Sequence, residues 1–185
     1  IYLDNHSTTQ VDKKVLKKML PFFSEKFNNP HSQLTMHNKN IINEIEKARN
    51  YIAKLIGAEK DEIIFTSGAT ESNNLAIKGL KSYISRGKNH FITLNTEHKC
   101  VLEALRKLEL DGAKVTILNV KKNGLIDPND FEKNINQNTL LASVMMANNE
   151  TGVIQPIKEL AYICKNRRVL FHTDAAQAVG KVKID

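Results

Sequence analysis

The alternation of strand-like and helix-like segments after residue 60 is the feature that most constrains the fold of this chain. Five short segments rich in Val, Ile, Leu or Phe lack the polar alternation of half-exposed strands, and they predict strands buried on both faces: residues 62–66, 90–95, 114–120, 140–147 and 169–173. Helical stretches lie between them at residues 72–85, 100–110, 129–134 and 156–166. This order predicts an α/β fold with a mostly parallel sheet covered by helices on both faces.

The first 60 residues have a different pattern. Residues 39–56 predict an amphipathic helix that ends at Gly57, because apolar residues recur at helical spacing at Ile41, Ile45, Ala48, Ile52 and Leu55. Residues 1–34 predict an extended arm, a short helix and a loop. We therefore divide the chain into an N-terminal arm with a short helix (residues 1–34) and the major part of a large domain (residues 35–185).

Composition excludes several classes of protein. No stretch of 18 apolar residues occurs, so we predict no membrane span. The net charge is +7, but the 22 lysines and 5 arginines are scattered without interleaved aromatic residues, so we predict no nucleic-acid binding. Cys100 and Cys164 form no CxxC pair, which argues against a zinc site or a disulfide framework and indicates a reducing cytoplasm. Because Ile1 stands where an initiator Met would, we expect residues upstream of it.

The transition from a predicted strand to a helix at residues 62–74 has the form of a phosphate-binding turn. Gly68 permits a tight turn, and the amide groups of Ala69 and Thr70 would lie at the positive end of a helix dipole. An ordinary turn with Ser67 or Thr70 as the helix cap is the alternative. The turn lacks the lysine of a nucleotide P-loop and the glycine spacing of a dinucleotide fingerprint.

Polar residues follow four of the five predicted strands directly. The carboxyl ends of parallel strands meet at one edge of a sheet, and ligands of doubly wound sheets bind at that edge. The residues expected to converge there are Ser67, Gly68, Ala69 and Thr70, then Thr96, Glu97, His98 and Lys99, then Asn148, Asn149 and Glu150, and finally Asp174 and Gln177.

This set is short of metal ligands but suits a planar aromatic cofactor that carries a phosphate. Ala69 and Thr70 would bind the phosphate at the helix N-terminus. His98 would stack its imidazole on the ring. Asp174, a lone acid at the mouth of an apolar strand, would pair with a protonated ring nitrogen and keep it electron-withdrawing.

Asn149 and Gln177 would hydrogen-bond ring substituents or a substrate carboxylate. Each candidate also has a structural alternative. His98 could cap a helix, Asp174 could cap the turn that follows it, and Asn148 with Asn149 could be turn residues that tolerate unusual backbone angles. Taken together at one edge of the sheet, these residues favour a functional site.

Four motifs carry a family resemblance that extends over the chain in order. They are Ser67-Gly-Ala-Thr-Glu-Ser-Asn-Asn74, Glu97-His-Lys-Cys-Val-Leu102, Asn148-Asn-Glu-Thr-Gly-Val-Ile-Gln-Pro-Ile157, and His172-Thr-Asp-Ala-Ala-Gln177 followed by Gly180-Lys181. The chain resembles the cysteine desulfurases of the class-V aminotransferase family, in particular their housekeeping iron–sulfur-cluster branch. The resemblance implies a homodimeric pyridoxal 5'-phosphate enzyme with the aspartate-aminotransferase-like fold. Such enzymes take sulfur from L-cysteine, release L-alanine and pass a persulfide to an iron–sulfur scaffold protein.

The resemblance also implies roles for individual residues. In the family, the residues that match Ala69 and Thr70 bind the phosphate, and the one that matches His98 stacks on the pyridine ring and shuttles protons. His98 is therefore the catalytic candidate. Residues that bind the rest of the ring match Asn149 (ring hydroxyl and substrate), Asp174 (pyridine nitrogen) and Gln177 (phenolic oxygen).

Two parts of the family pattern are expected beyond Asp185: the Schiff-base lysine and the mobile-loop cysteine that carries the persulfide. Lys181 matches a structural lysine, and Cys100 is expected to be a packing cysteine. We therefore expect these 185 residues alone to be inactive. Residues 33–39 and His6 depart from the family pattern, which affects the expected substrate and dimer contacts.

Two alternatives to the desulfurase interpretation remain. A related pyridoxal-phosphate lyase, for example one that acts on selenocysteine, would share the same cofactor residues, because specificity is set beyond Asp185. A truncated, non-catalytic remnant is the other alternative, and the altered loop after Ser32 favours it.

Overall fold

The computed structural model describes residues 1–5, 7–31 and 37–184 of the 185-residue chain. The family departures at His6 and residues 33–36 lie outside the described residues. The chain divides into two units, one of residues 1–65 and 184–185, the other of residues 66–183. The division predicted between residues 34 and 35 stays a prediction.

The described residues of the first unit form three α-helices: α1 (Lys13–Met19), α2 (Pro21–Ser24) and α3 (His37–Ile56). Asp12 caps α1, because its Oδ1 accepts a hydrogen bond from the Lys14 amide at 2.7 Å. Helix α3 ends as predicted at Gly57, whose φ of +70° lies in the left-handed region. Among the described residues of this unit only Ala53 is buried, so the unit contributes little core of its own.

The prediction of a buried strand at residues 62–66 is wrong. A short 3₁₀ helix, Lys60–Glu62, is followed by chain that has no strand partner among the described residues. Ile64 and Phe65 are 70% and 48% exposed. The Arg49 guanidinium lies 4.9 Å from the centroid of the Phe65 ring instead. An apolar run becomes a strand only where a neighbour accepts and donates its ladder hydrogen bonds.

Four strands form one parallel sheet in the second unit: β1 (His90–Leu94), β2 (Lys114–Leu118), β3 (Thr139–Ser143) and β4 (Leu170–His172). Their order in the sheet is β2-β1-β3-β4. Ile92 of the central strand β1 pairs with Thr116 of β2 on one side and with Ala142 of β3 on the other. The predicted parallel sheet is confirmed, with every strand boundary within four residues of the predicted one.

Five helices accompany this sheet: α4 (Ala69–Lys78), α5 (Lys81–Ile84), α6 (Lys99–Leu110), α7 (Pro128–Lys133) and α8 (Ile157–Asn166). The single helix predicted for residues 72–85 is two, because the first ends at Gly79. No helix in the described part of the chain is long and apolar enough to cross a membrane.

Two apolar cores lie on opposite faces of the sheet, because successive side chains of a strand point to opposite faces. One core joins the central strands to α4 and α6 through Phe91, Leu141, Ile77 and Leu105. The other joins them to α7 and α8 through Ile92, Ala142, Phe131 and Leu160. Each large apolar side chain contributes roughly 1.5–3 kcal/mol by full burial. The predicted cover of helices on both faces is therefore confirmed.

Candidate functional site

The sheet has a topological switch point between its two central strands. Strand β1 is followed by α6 on one face, whereas its neighbour β3 is followed by α8 on the other face. In doubly wound folds the connections diverge at such a point and leave a crevice beyond the strand ends. Here the loops after β1 and β3 enclose a cavity of about 290 Å³, lined by residues 95–99 and 148–151. Two predicted site residues, His98 and Asn149, line it.

The predicted phosphate-binding turn opens helix α4. The helix begins at Ala69 with Gly68 as its N-cap, and Ala69 and Thr70 are exposed. The first amide groups of a helix have no partner within it, so these residues present free donors. A Cβ built on Gly68 would meet no atom within 4 Å, so the space in front of the turn is open. Behind the turn, the Ser67 hydroxyl and amide donate to the Glu71 carboxylate at 2.5 and 2.6 Å and lower its pKa.

His98 is the N-cap of α6. Its Nδ1 accepts a hydrogen bond from the Cys100 amide at 3.2 Å, and the Cys100 Sγ lies 2.9 Å from the same nitrogen. The alternative prediction, that His98 caps a helix, is therefore correct, and the capping atom is Nδ1. The ring is otherwise exposed at the cavity, so capping does not prevent the imidazole from contacting a ligand.

Asp174 lies two residues after the end of β4 and is only 6% exposed. Its Oδ1 accepts the Ala176 amide at 3.0 Å, which is the predicted turn cap. Its Oδ2 accepts a hydrogen bond from the side-chain nitrogen of Asn73, in helix α4, at 2.8 Å. A carboxylate offers about four acceptor positions, so two such bonds leave capacity for a cationic donor.

A second buried acid, Glu97, follows β1 and lies near enough to Asp174 for the two charges to interact. Glu97 is 6% exposed, and its Oε1 accepts the Met145 amide at 2.7 Å. Its Oε2 is buried without a hydrogen-bond partner among the described residues. Burial raises the pKa of Glu97 to about 8, the Met145 bond offsets part of the rise, and the Asp174 charge adds to it. At neutral pH most of this carboxyl is therefore protonated.

The two adjacent asparagines differ in role. Asn148 is buried and fastens the loop after β3, because its Nδ2 donates to the Thr96 carbonyl at 2.7 Å. Its Oδ1 accepts the amides of Glu150 and Thr151 at 2.9 and 2.8 Å. Asn149 is half-buried at the cavity. Neither has a positive φ, so unusual backbone angles do not explain this pair.

Gln177 lies one turn after Asp174 and is half-buried. Its Oε1 accepts a hydrogen bond from the exposed Lys181 ammonium at 2.6 Å. No group of three or more His, Cys, Asp and Glu side chains that could hold a metal ion occurs among the described residues.

The structure brings several of the predicted residues together through two residues to which the sequence assigned no binding role. Asn73 and Cys100 connect Asp174 to His98 by hydrogen bonds. Asn73 also lies one turn after Ala69 in the same helix. Its only sequence signal was its position in the motif that opens α4. For Glu97, the signal was its place among the polar residues that follow a strand.

Comparison with known proteins agrees with this arrangement. The sequence matches the family described as aminotransferase class-V over residues 1–185. The chain therefore belongs to the class-V aminotransferase family. It is 52% identical over 185 residues to the cysteine desulfurase IscS of Rickettsia africae and 55% identical to that of Rickettsia bellii. Each match spans 100% of this chain but only 45% of the relative's length.

Solved structures of similar proteins give the same family. The chain superposes on SspA in complex with cysteine with a TM-score of 0.95 and 43% identity, over 100% of this chain and 53% of that one. It superposes on the apo cysteine desulfurase of Thermococcus onnurineus with a TM-score of 0.90 and 30% identity, over 100% of this chain and 46% of that one. These likenesses confirm the predicted aspartate-aminotransferase-like fold.

Proposed function

We propose that the protein containing this chain is a pyridoxal-phosphate-dependent cysteine desulfurase. It removes sulfur from L-cysteine, releases L-alanine and supplies the sulfur for iron–sulfur cluster assembly. Class-V aminotransferases use pyridoxal 5'-phosphate, which acts as an electron sink for bonds at the amino acid's α-carbon. The observation that carries the proposal is the buried Asp174 carboxylate, held at the carboxyl end of the sheet beside a helix N-terminus and an exposed imidazole.

Asp174 supports this proposal because its surroundings suit a pyridinium nitrogen. A carboxylate that is 6% exposed needs compensating donors, and the two that the described residues provide are both neutral amides. A positively charged N–H would therefore be bound strongly there. It would in turn remain protonated, which is the state in which the ring withdraws electrons best.

The other end of the cofactor would be bound at the start of α4. The free amides of Ala69 and Thr70 and the open space in front of Gly68 suit a phosphate group. The exposed ring of His98 would cover the pyridine face and exchange a proton with the substrate. Asn149 would bind the substrate and the ring hydroxyl from the loop after β3, and Gln177 would bind the phenolic oxygen.

The interactions of the whole protein are part of the same proposal. It would act as a cytoplasmic homodimer and pass the sulfur as a persulfide to an iron–sulfur scaffold protein. The Schiff-base lysine and the persulfide cysteine would lie in the part of the relatives' length that these residues do not span.

The test uses protein expressed from the complete coding sequence and purified with pyridoxal phosphate. We expect a cofactor absorbance band and equal release of sulfide and alanine from L-cysteine. Asp174→Asn keeps the side-chain shape but removes the charge, and it should lower turnover by about 100-fold or more. Asp130→Asn, an exposed change in α7, is the matched control and should leave turnover unchanged.

Other results would reject the proposal in distinct ways. Cofactor binding without sulfide or alanine release would exclude the desulfurase activity. Efficient cleavage of selenocysteine with cysteine acting only as an inhibitor would assign the related lyase activity. Absence of cofactor binding by the complete protein would indicate a non-catalytic product.

A further inference from the structure

Asn73 occupies a central position beneath the proposed cofactor site. It lies on α4, and only 3% of its surface is exposed. Its side-chain nitrogen donates to Asp174 Oδ2 at 2.8 Å and to Cys100 Sγ at 3.2 Å. An amide nitrogen carries two protons, so each of these bonds has its own donor. One buried side chain thus connects α4, the end of β4 and the start of α6.

The hydrogen bonds of His98 determine which of its ring nitrogens carries the proton. A backbone amide can only donate, so the bond from the Cys100 amide requires a lone pair on His98 Nδ1. The neutral imidazole must then carry its proton on Nε2. Nε2–H is therefore the ring group that remains available to a bound molecule.

The same reasoning fixes the role of the Cys100 thiol. Because Nδ1 is an acceptor, the contact of 2.9 Å between it and Cys100 Sγ is an S–H donor to a nitrogen acceptor. The sulfur in turn accepts from Asn73, which directs the thiol proton toward the imidazole. Donors and acceptors thus match at every step from Asp174 to His98.

We propose that Asn73 and Cys100 are positioning residues that link the Asp174 carboxylate to the His98 imidazole and hold the imidazole proton on Nε2. The link fixes the carboxylate that would pair with the pyridine nitrogen. It also orients the histidine that would stack on the ring. The importance of the link for catalysis rests on the proposed function, whereas the tautomer that it imposes does not.

The first test needs no cofactor. Nitrogen-15 labelling of histidine in the complete apoprotein, with long-range proton–nitrogen correlation spectra, reports the tautomer of His98 directly. Wild-type protein should show the Nε2–H form. Cys100→Ala removes one of two donors to Nδ1 and should shift the tautomer ratio about fivefold, since one hydrogen bond contributes roughly this much. Cys100→Ser restores a donor and should restore the ratio. Cys164→Ala, a buried cysteine in the other core, is the control and should leave it unchanged.

Asn73→Ala gives the sharper result, because Asn73 does not contact His98 in any described hydrogen bond. We expect Asn73→Ala to shift the His98 tautomer ratio in the same direction as Cys100→Ala. The double variant should shift it no further, since both changes interrupt one link. Asn74→Ala is the matched control, because the neighbouring Asn74 bonds only the Thr70 carbonyl of its own helix among the bonds described. It should leave the tautomer ratio unchanged.

The second measurement is pyridoxal-phosphate affinity of the complete protein. Asn73→Ala should weaken it about tenfold by releasing the Asp174 carboxylate, whereas Asn74→Ala should change it by less than about twofold. A wild-type tautomer ratio in both Cys100→Ala and Asn73→Ala would overturn the proposal. An equal shift in the Asn74→Ala or Cys164→Ala control would overturn it as well. Failure of the proposed function would appear separately, as lack of turnover in wild-type protein whose His98 tautomer responds as expected. If Asn73→Ala does not fold, the Cys100 variants decide.

Discussion

Each end of the central sheet contains a buried ionisable side chain. The two side chains differ in how completely they are hydrogen-bonded. At the amino end, His90 is 6% exposed and both ring nitrogens have partners, Thr139 and Thr116, each at 2.8 Å. The Asn136 amide also donates to Nδ1 at 3.0 Å. At the carboxyl end, Glu97 is equally buried, but its Oε2 has no partner among the described residues.

This difference shows that burial of a charged residue type does not by itself identify a functional site. Burial and the nearby Lys114 charge lower the pKa of His90, and its bonds suit the neutral ring, so the cluster is complete as it stands. Burial raises the pKa of Glu97 to about 8, and part of its bonding capacity remains unused. An incomplete set of partners at a switch point is what a binding site requires.

The largest expected effect is a pH dependence of stability caused by Glu97. Its pKa is about 8 in the folded state against a usual 4.5, so between these values the folded protein keeps a proton that the unfolded chain has lost. The unfolding free energy should therefore fall as pH rises through this range, by about 4 kcal/mol. Glu97→Gln carries no such proton. Urea unfolding at several pH values should show the variant gaining stability relative to wild type from pH ~5 to pH ~8.

The buried His90 and the half-buried His172 act in the opposite direction. Because the pKa values of His90 and His172 are lowered, their contribution is lost as pH falls below about 6.5. Both histidines are present in wild type and in Glu97→Gln, so their contribution cancels when the stabilities of the two proteins are compared. Glu103→Gln, an exposed change on α6, is the control and should parallel wild type. Parallel curves for Glu97→Gln would show that Glu97 is ionised in the folded protein.

The next effect concerns the amino end. His90→Ala removes a ring that bonds two threonines and an asparagine, and it should lower the free energy of unfolding by about 2–3 kcal/mol. Pyridoxal-phosphate affinity of the complete protein should change by less than about twofold. A tenfold loss of affinity with unchanged stability would break the comparison, because the amino end would then contribute to binding.

The sequence predicted the parts of this molecule that depend on local pattern. All four strands of the second unit were predicted, since buried parallel strands read as apolar runs, and Gly57 and Gly112 both follow helices with positive φ. Residues 62–66 have the same kind of apolar run but lack a pairing strand among the described residues. Whether such a run becomes a strand depends on pairing with a segment that is distant in sequence, and the local pattern contains no information about that pairing.

The candidate site was predictable in outline for the same reason. Topology alone brings the ends of parallel strands to one edge, so His98, Asn149 and Asp174 could be grouped from the sequence. The contacts of Asn73 and Cys100 could not be, because they depend on how α4 packs beside α6 and on side-chain direction. The raised pKa of Glu97 could not be predicted either, because it depends on burial, and the sequence shows only that this position is polar.

A smaller effect should distinguish a structural residue from a binding residue at the carboxyl end of the sheet. The two residues compared are the adjacent Asn148 and Asn149. Asn148→Ala removes four hydrogen bonds of a buried side chain and should lower the free energy of unfolding by about 1.5–2 kcal/mol. Asn149→Ala should change stability by about 0.5 kcal/mol or less but lower turnover of the complete protein at least about tenfold. Chemical unfolding and steady-state kinetics separate the two effects. The interpretation fails if the two variants exchange phenotypes.

The smallest expected effect is that of Lys181, an exposed lysine near the predicted site. Its ammonium donates to Gln177 at 2.6 Å on the protein surface, where one hydrogen bond contributes little. Lys181→Ala should therefore change the free energy of unfolding by less than about 0.5 kcal/mol and cofactor affinity by less than about twofold. Borohydride should attach the cofactor to the complete variant as efficiently as to wild type, and to the same lysine-containing peptide. Lys183→Ala is the matched control. Loss of attachment in Lys181→Ala alone would show that proximity to Asp174, rather than the motif, identifies the lysine that binds the cofactor.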